Sequence, residues 1–206
     1  AGLINNPNIG AVLIIGLGCE VLKSEFLLQS VQGKPAEALV IQKAGGGAAT
    51  TEKGIEVATR FLKELETQER VPTPVSELVV GLECGGSDAF SGITANPAVG
   101  VAADRFVAEG ATVILAETTE MIGTAHILKR RCSIPELGEQ VERLVNECEK
   151  RVRASLGTLA GMVIAPGNIE GGLSSITEKS LGCITKAGTT PINEVIEYAC
   201  HPSKRG

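Results

Sequence analysis

Four short apolar runs, Ala11–Leu17, Ala38–Gln42, Glu77–Leu82 and Thr112–Ala116, alternate with segments whose apolar residues recur at helical spacing. Such alternation predicts strand, helix, strand crossovers and a mostly parallel sheet. Between the second and third runs, a helix over Thr51 to Glu66 would carry Ile55, Ala58, Leu62 and Leu65 as one stripe, with Pro72 and Pro74 ending that segment. A further helix is predicted to open at Asn96-Pro97, turn Ala98, Val101, Ala102 and Phe106 inward and stop at Gly110.

Beyond the fourth run the pattern turns helical. Ser133 and Glu136 have the spacing of a capping box, and Leu137, Val141, Leu144, Cys148 and Val152 continue one face. The stretch Leu159–Ala165 is apolar and reads equally as a strand or a packed connection. Ser175 with Glu178 predicts another capped helix that Gly188 ends, and Thr190-Pro191 predicts the start of a last one. The expected fold is α/β, a Rossmann-like three-layer open and mostly parallel sheet over 1–132, with a helical extension over 133–206 packed on it. The chain closes on Pro202 to Gly206 without the strand that normally follows an α/β helix, so it is expected to be a piece of a longer enzyme.

Composition narrows the function classes. With four Phe, one Tyr and no Trp among 206 residues, the core must be aliphatic. A net charge of −5 without a basic block gives nucleic acid and anionic membranes no electrostatic footing, and no run approaches the roughly 20 apolar residues of a span. The amino terminus lacks a signal peptide's order of charge and apolar run, so a cytoplasmic location is expected. Six cysteines without CxxC spacing read as reduced thiols.

The segment with most chemistry is Glu83-Cys84-Gly85-Gly86-Ser87-Asp88-Ala89-Phe90-Ser91-Gly92, a glycine-permitted turn at the carboxyl end of a predicted strand, where α/β sheets bind ligands. Its Cys84 reads as a functional thiol or as a buried one at a tight turn. A shorter echo, Gly16-Leu17-Gly18-Cys19-Glu20, follows the first strand; Val21 replaces the third glycine of a dinucleotide fingerprint, so that fingerprint is incomplete. Lys43 before Gly45, Gly46 and Gly47 can hold an anion with backbone amides or be a solvated turn charge, and the order of residues excludes a P-loop. Glu117 stands at the fourth strand's tip and His126 beyond it, a pair able to meet one ligand. Ser87, Asp88 and His126 lack the setting of a hydrolase triad. Lys179 and Lys186 read as solvated helix charges.

Taken together, Gly16-Leu17-Gly18-Cys19-Glu20, the run from Glu83 to Pro97, Glu117-Thr118 and Glu178-Lys179-Ser180-Leu181-Gly182 resemble the altronate/galactarate dehydratase family over its central catalytic region. The resemblance implies a hydro-lyase that removes water from a sugar acid, with a divalent metal, Fe2+ or Mn2+, and the remaining domains of the same enzyme or further copies as partners. A related branch eliminates sulfite from sulfolactate; a non-catalytic subunit binding an acidic metabolite is the alternative of another class. On this footing Cys84, Asp88, Glu117 and His126 are expected in catalysis, and Cys19, Cys84, Glu117 and His126 around a metal. Lys43, Gly85, Gly86, Ser87, Thr189 and Thr190 are expected to hold substrate oxygens.

Overall fold

The computed structural model describes residues 2–158, 163–198 and 200–206. It has two compact units, Ala1–Pro72 and Thr73–Gly206. All four predicted strands form, and both pairings are parallel, but they make two separate two-stranded sheets, β1 (Val12–Gly16) with β2 (Ala36–Val40) and β3 (Val79–Leu82) with β4 (Thr112–Leu115). The α/β class therefore stands. A single open sheet is not formed among the described residues, and the tips carrying Cys19 and Cys84 belong to different sheets.

In the first unit Val12 pairs with Ala36 and Gly16 with Val40. Three helices follow the sequence order, α1 (Ser24–Leu28), α2 (Ile41–Ala44) and α3 (Gly47–Glu66). Gly45 and Gly46, at φ of 101° and 100°, make the turn from α2 into α3, a left-handed conformation that residues with a Cβ resist. The buried face of α3 differs from the aliphatic stripe. Ile55 and Leu62 are 62% and 59% exposed, whereas Thr50, Val57 and Phe61 are buried. Leu13 and Leu39, from the two strands, pack over Gly54. The helix meets its sheet at Gly54, where even a Cβ would stand in ordinary contact with both leucines, and a search for large aliphatics overlooks a glycine. Burial of Val57 and Phe61 stabilises this contact by about 1.5–3 kcal/mol each.

The second unit runs β3, α4 (Ala95–Ala108), β4, α5 (Ala125–Arg130), α6 (Pro135–Leu156), α7 (Pro166–Glu170) and α8 (Ile176–Ile184). Its core joins Met121, Ala125, Leu128, Val141, Val145 and Ile184, with Leu115 and Ile192 against them. On α4 the predicted inward face is again displaced: Ala98, Val101 and Ala102 are exposed, Phe106 is half-buried, and Gly100 and Ala103 are buried. A Cβ on Gly100 would lie 2.3 Å from the Thr185 carbonyl, so small residues mark the face that touches the turn after α8. On α6 Leu137, Val141 and Cys148 are buried as predicted, together with Gly138 and Val145, while Leu144 and Val152 are half-buried. Ser133 caps nothing; the helix starts one residue later, at Pro135, with Ile134 before it.

The capping box on α8 does form, the Glu178 amide donating to Ser175 Oγ at 3.2 Å and the Glu178 carboxylate accepting from the Ser174 amide at 2.7 Å. No helix begins at Pro191. Ile192 instead bridges in parallel to Cys132, its amide donating to the Arg131 carbonyl and its carbonyl accepting from Ser133. The division expected after Cys132 thus falls inside the second unit, where the chain on both sides of that point is tied together. Gly206 donates to Ala111 and accepts from Val113 along the free edge of β4. Leu159 to Met162, half of the stretch read as strand or connection, lie outside the described residues.

Candidate active site at the tips of β3 and β4

Neighbouring parallel strands end side by side, so the turn after β3 and the first residues after β4 meet in space. Glu117 has a left-handed backbone, φ 60°, the only non-glycine residue with positive φ among those described. For a residue with a Cβ this costs on the order of 1 kcal/mol, and such strain persists where the surroundings enforce it. Its carboxylate crosses to the β3 turn, where Oε2 accepts the Cys84 amide at 2.6 Å. The Cys84 thiol lies 2.8 Å from Ser87 Oγ.

From Ser87 the contacts run through the later half of the unit. Asn168 donates to the Ser87 carbonyl at 2.9 Å, Lys179 donates to the Asn168 side-chain oxygen at 3.2 Å, and Lys179 pairs with Glu120 Oε1 at 2.7 Å. Lys186 stands 3.9 Å from Glu120 Oε2 and 3.8 Å from Glu117 Oε2, which closes a ring back on Cys84. Glu120 and Lys186 are 6% and 4% exposed, low enough that each needs the other's charge. Burial pushes the Glu120 carboxyl up, but the Lys179 ion pair, the Cys183 thiol and Lys186 outweigh it and hold the group below its ordinary value. Burial likewise opposes the Lys186 ammonium, and Cys183, Glu120 and Glu117 together raise it above the usual lysine value. The Cys183 thiol, buried between these groups, is pushed up to about 12 and is inert as a nucleophile.

The turn itself is open. No atom approaches within 4 Å of where a Cβ would stand on Gly85 or Gly86, and neither has a positive φ, so packing and backbone conformation leave glycine unexplained at both positions. Their exposed backbone is free to meet a ligand closely. Asp88 is exposed, its Oδ1 accepting from the Ser91 amide at 2.7 Å, and Ala89 is fixed by donation to the Gly171 carbonyl. A shallow cleft leads from Ser87 and Asp88 past Asn96 to Lys179.

The structure therefore brings Cys84, Ser87, Asp88 and Glu117 together, with Gly85 and Gly86 between them. Thr189 and Thr190 direct both amides and both hydroxyls to Asp104, at 2.6 to 3.1 Å, and those bonds, led by that from Thr190, hold the Asp104 carboxyl down to about 2. Their donors fix a turn. His126 is exposed on α5, and its side chain makes no hydrogen bond or ion pair with another described residue. Cys19 and Lys43 belong to the first unit, Cys19 exposed and Lys43 paired with Glu25 at 2.8 Å. Among the described residues no three His, Cys, Asp or Glu side chains converge as a metal site, so the expected ligand set does not fit a divalent ion here.

Glu120, Lys179 and Lys186 are the site residues that sequence reasoning passed over. One signal was available: Lys179, Cys183 and Lys186 recur at i, i+4 and i+7, which puts both lysines on the stripe of a cysteine that proves buried.

A parallel α/β unit with a polar turn at adjacent strand tips and buried charges against it is an arrangement of the kind at which α/β folds bind small molecules. The chain belongs to the D-galactarate/altronate dehydratase family: the profile of its C-terminal domain matches residues 75–206, and that of the D-galactarate dehydratase/altronate hydrolase second domain matches residues 1–66. Galactarate dehydratase (L-threo-forming) of Escherichia coli is 43% identical over 212 residues, covering 98% of this chain and 40% of its own length. Altronate dehydratase of Bacillus subtilis is 36% identical over 199 residues, covering 95% and 39%, and the (2R)-sulfolactate sulfo-lyase subunit beta of Chromohalobacter salexigens is 34% identical over 205 residues, covering 98% and 52%. The chain thus spans about two fifths of the length of the dehydratases it matches.

Proposed function

We propose that this chain carries the reacting site of a hydro-lyase acting on a sugar acid of the galactarate or altronate kind. The observation that carries the reading is the Glu117 carboxylate, held by the Cys84 amide at 2.6 Å above a turn of open glycine backbone. The names of the relatives supply the reaction class. A substrate carboxylate meets the amides of Gly85 and Gly86 and the Ser87 hydroxyl, which favour the charge that grows on it as the α-proton leaves. Glu117 takes that proton; its orientation comes from the Cys84 amide and from its own strained backbone. The second oxygen of Asp88 orients a substrate hydroxyl. Cys84 acts through its amide and by holding Ser87.

A divalent metal, Fe2+ or Mn2+, is implied by the family resemblance. The described side chains do not fit one, and no step here runs through it. Metal content of the whole protein, with and without His126→Ala, tests the point: one equivalent of iron or manganese lost on that substitution would give His126 a ligand role. The similarity to a sulfolactate sulfo-lyase subunit supports a second reading, C–S elimination, which begins with the same proton removal.

The deciding assay is 2-keto-acid formation by the whole protein from galactarate, altronate and sulfolactate, with and without added Fe2+ or Mn2+. Turnover of one acid supports the reading and names the branch; a folded, metal-supplied protein inactive on all three contradicts it.

A further inference from the structure

The ring of contacts beneath the turn is closed by hydrogen bonds or a close ion pair everywhere except at Lys186. Its ammonium is 3.8 Å from Glu117 and 3.9 Å from Glu120, beyond hydrogen-bond length on both sides, although the residue is 4% exposed. Glu120 Oε2 is buried and has no oxygen or nitrogen donor at hydrogen-bond length, the Cys183 thiol being the other donor beside the carboxylate. An ammonium has three protons to donate, and the Cys183 thiol beside it accounts for one of them at most. A donor with spare protons and an acceptor with spare lone pairs thus face one another across a gap. One oxygen that accepts from Lys186 and donates to Glu120 Oε2 completes both, and a hydroxyl group does both.

We propose that Lys186, between Glu117 and Glu120, binds the departing hydroxyl of the substrate and gives it the proton with which it leaves as water. This rests on the hydro-lyase reading and adds to it the acid that the turn itself lacks. Glu117 takes the α-proton, and the electrons of that C–H bond pass to the substrate carboxylate as an enediolate; they then form the carbon–carbon double bond as the β C–O bond breaks, and the leaving oxygen takes a proton from Lys186. The resulting amine then receives the proton held by Glu117, across the 3.8 Å that separates them, which restores both groups. The enol that remains ketonises to the 2-keto acid, so the sum is loss of one water. The Glu120 and Lys179 pair at 2.7 Å keeps the position charge-balanced throughout.

The test uses the whole protein and two substrates, the sugar acid that it dehydrates and the analogue with fluorine in place of the β-hydroxyl, because fluoride leaves without a proton. Lys186→Met is expected to lower dehydration at least about 100-fold, the low end for a lost general acid, while fluoride release stays within about fivefold of wild type. Exchange of the α-hydrogen in D2O should persist in Lys186→Met and vanish in Glu117→Gln. Lys186→Arg keeps the buried charge but replaces the donor by a group that does not give up its proton, so it should show the same split if the methionine variant does not fold. Equal losses on both substrates, or full dehydration by the arginine variant, would overturn the assignment of Lys186. A wild-type protein that neither exchanges the α-hydrogen nor releases water or sulfite from any of the three acids would instead overturn the parent reading, and the role of Lys186 with it.

Discussion

The tips of β1 and β3 carry the same local sequence, Gly-Leu-x-Cys after an apolar strand, and reach different ends. After β1, Cys19 is exposed, Glu20 turns back to accept the Gly18 amide at 2.5 Å, and Lys43 pairs with Glu25 at the surface. After β3, the Cys84 amide is held by Glu117, its thiol by Ser87, and a buried lysine, a half-buried lysine and a buried glutamate support them. A local motif makes a strand tip. What sets the proposed reacting tip apart from the other is the buried charge packed against it, delivered from residues 117 to 186.

The largest effect that should separate the tips is electrostatic. Lys179→Met leaves Glu120 without its 2.7 Å partner and should destabilise the second unit by about 3–5 kcal/mol in urea unfolding, whereas Lys43→Met, at an exposed pair, should change stability by no more than about 1 kcal/mol. Comparable losses for the two would erase the contrast. Next comes Asp104→Ala, expected to cost about 2 kcal/mol because four donors lose their acceptor. Asp104 and Glu120 are held below their ordinary values, so the unfolded chain binds more protons in acid; their contribution is full above about pH 4.5 and is lost as pH falls toward 2. Unfolding midpoints measured from pH 6 down to pH 2 should show that decline, and Asp104→Ala should flatten it.

Smaller effects sharpen the picture. Gly85→Ala and Gly86→Ala meet open space, so stability should stay within about 0.5 kcal/mol while turnover falls roughly tenfold or more; unchanged turnover in both would remove the glycines from the site. Alkylation at pH 8 followed by mass spectrometry should label the exposed Cys19 and Cys200 first and leave Cys183 unmodified in the folded protein.

Much of this was legible beforehand. All four strands stand where apolar runs end in glycine or polar turns, Ser175 caps α8 as its spacing predicts, and the Glu83–Gly92 turn stood out as a candidate because thiol, hydroxyl, carboxylate and glycine crowd into ten residues. Helix faces were not. Gly100 and Gly138 let helices pack closely, and a pattern built on large aliphatic residues cannot register a side chain whose use is its absence. Nor does spacing reveal that Glu117 reaches Cys84, 33 residues back, or that Glu120 pairs with Lys179; tertiary folding brings these partners together. The lysines looked like solvated charges because lysine nearly always is one, and only a partner buried with it makes the exception.

Whether the β3 and β4 tips do the chemistry is most directly tested by Glu117→Gln in the whole protein, assayed on the acid that the wild type converts. The substitution keeps the size of the side chain and an oxygen to accept the Cys84 amide, and removes the base. A folded variant whose kcat falls at least about 100-fold, with KM little changed, is the predicted result. Wild-type turnover in that variant would contradict the account and place the reacting groups elsewhere.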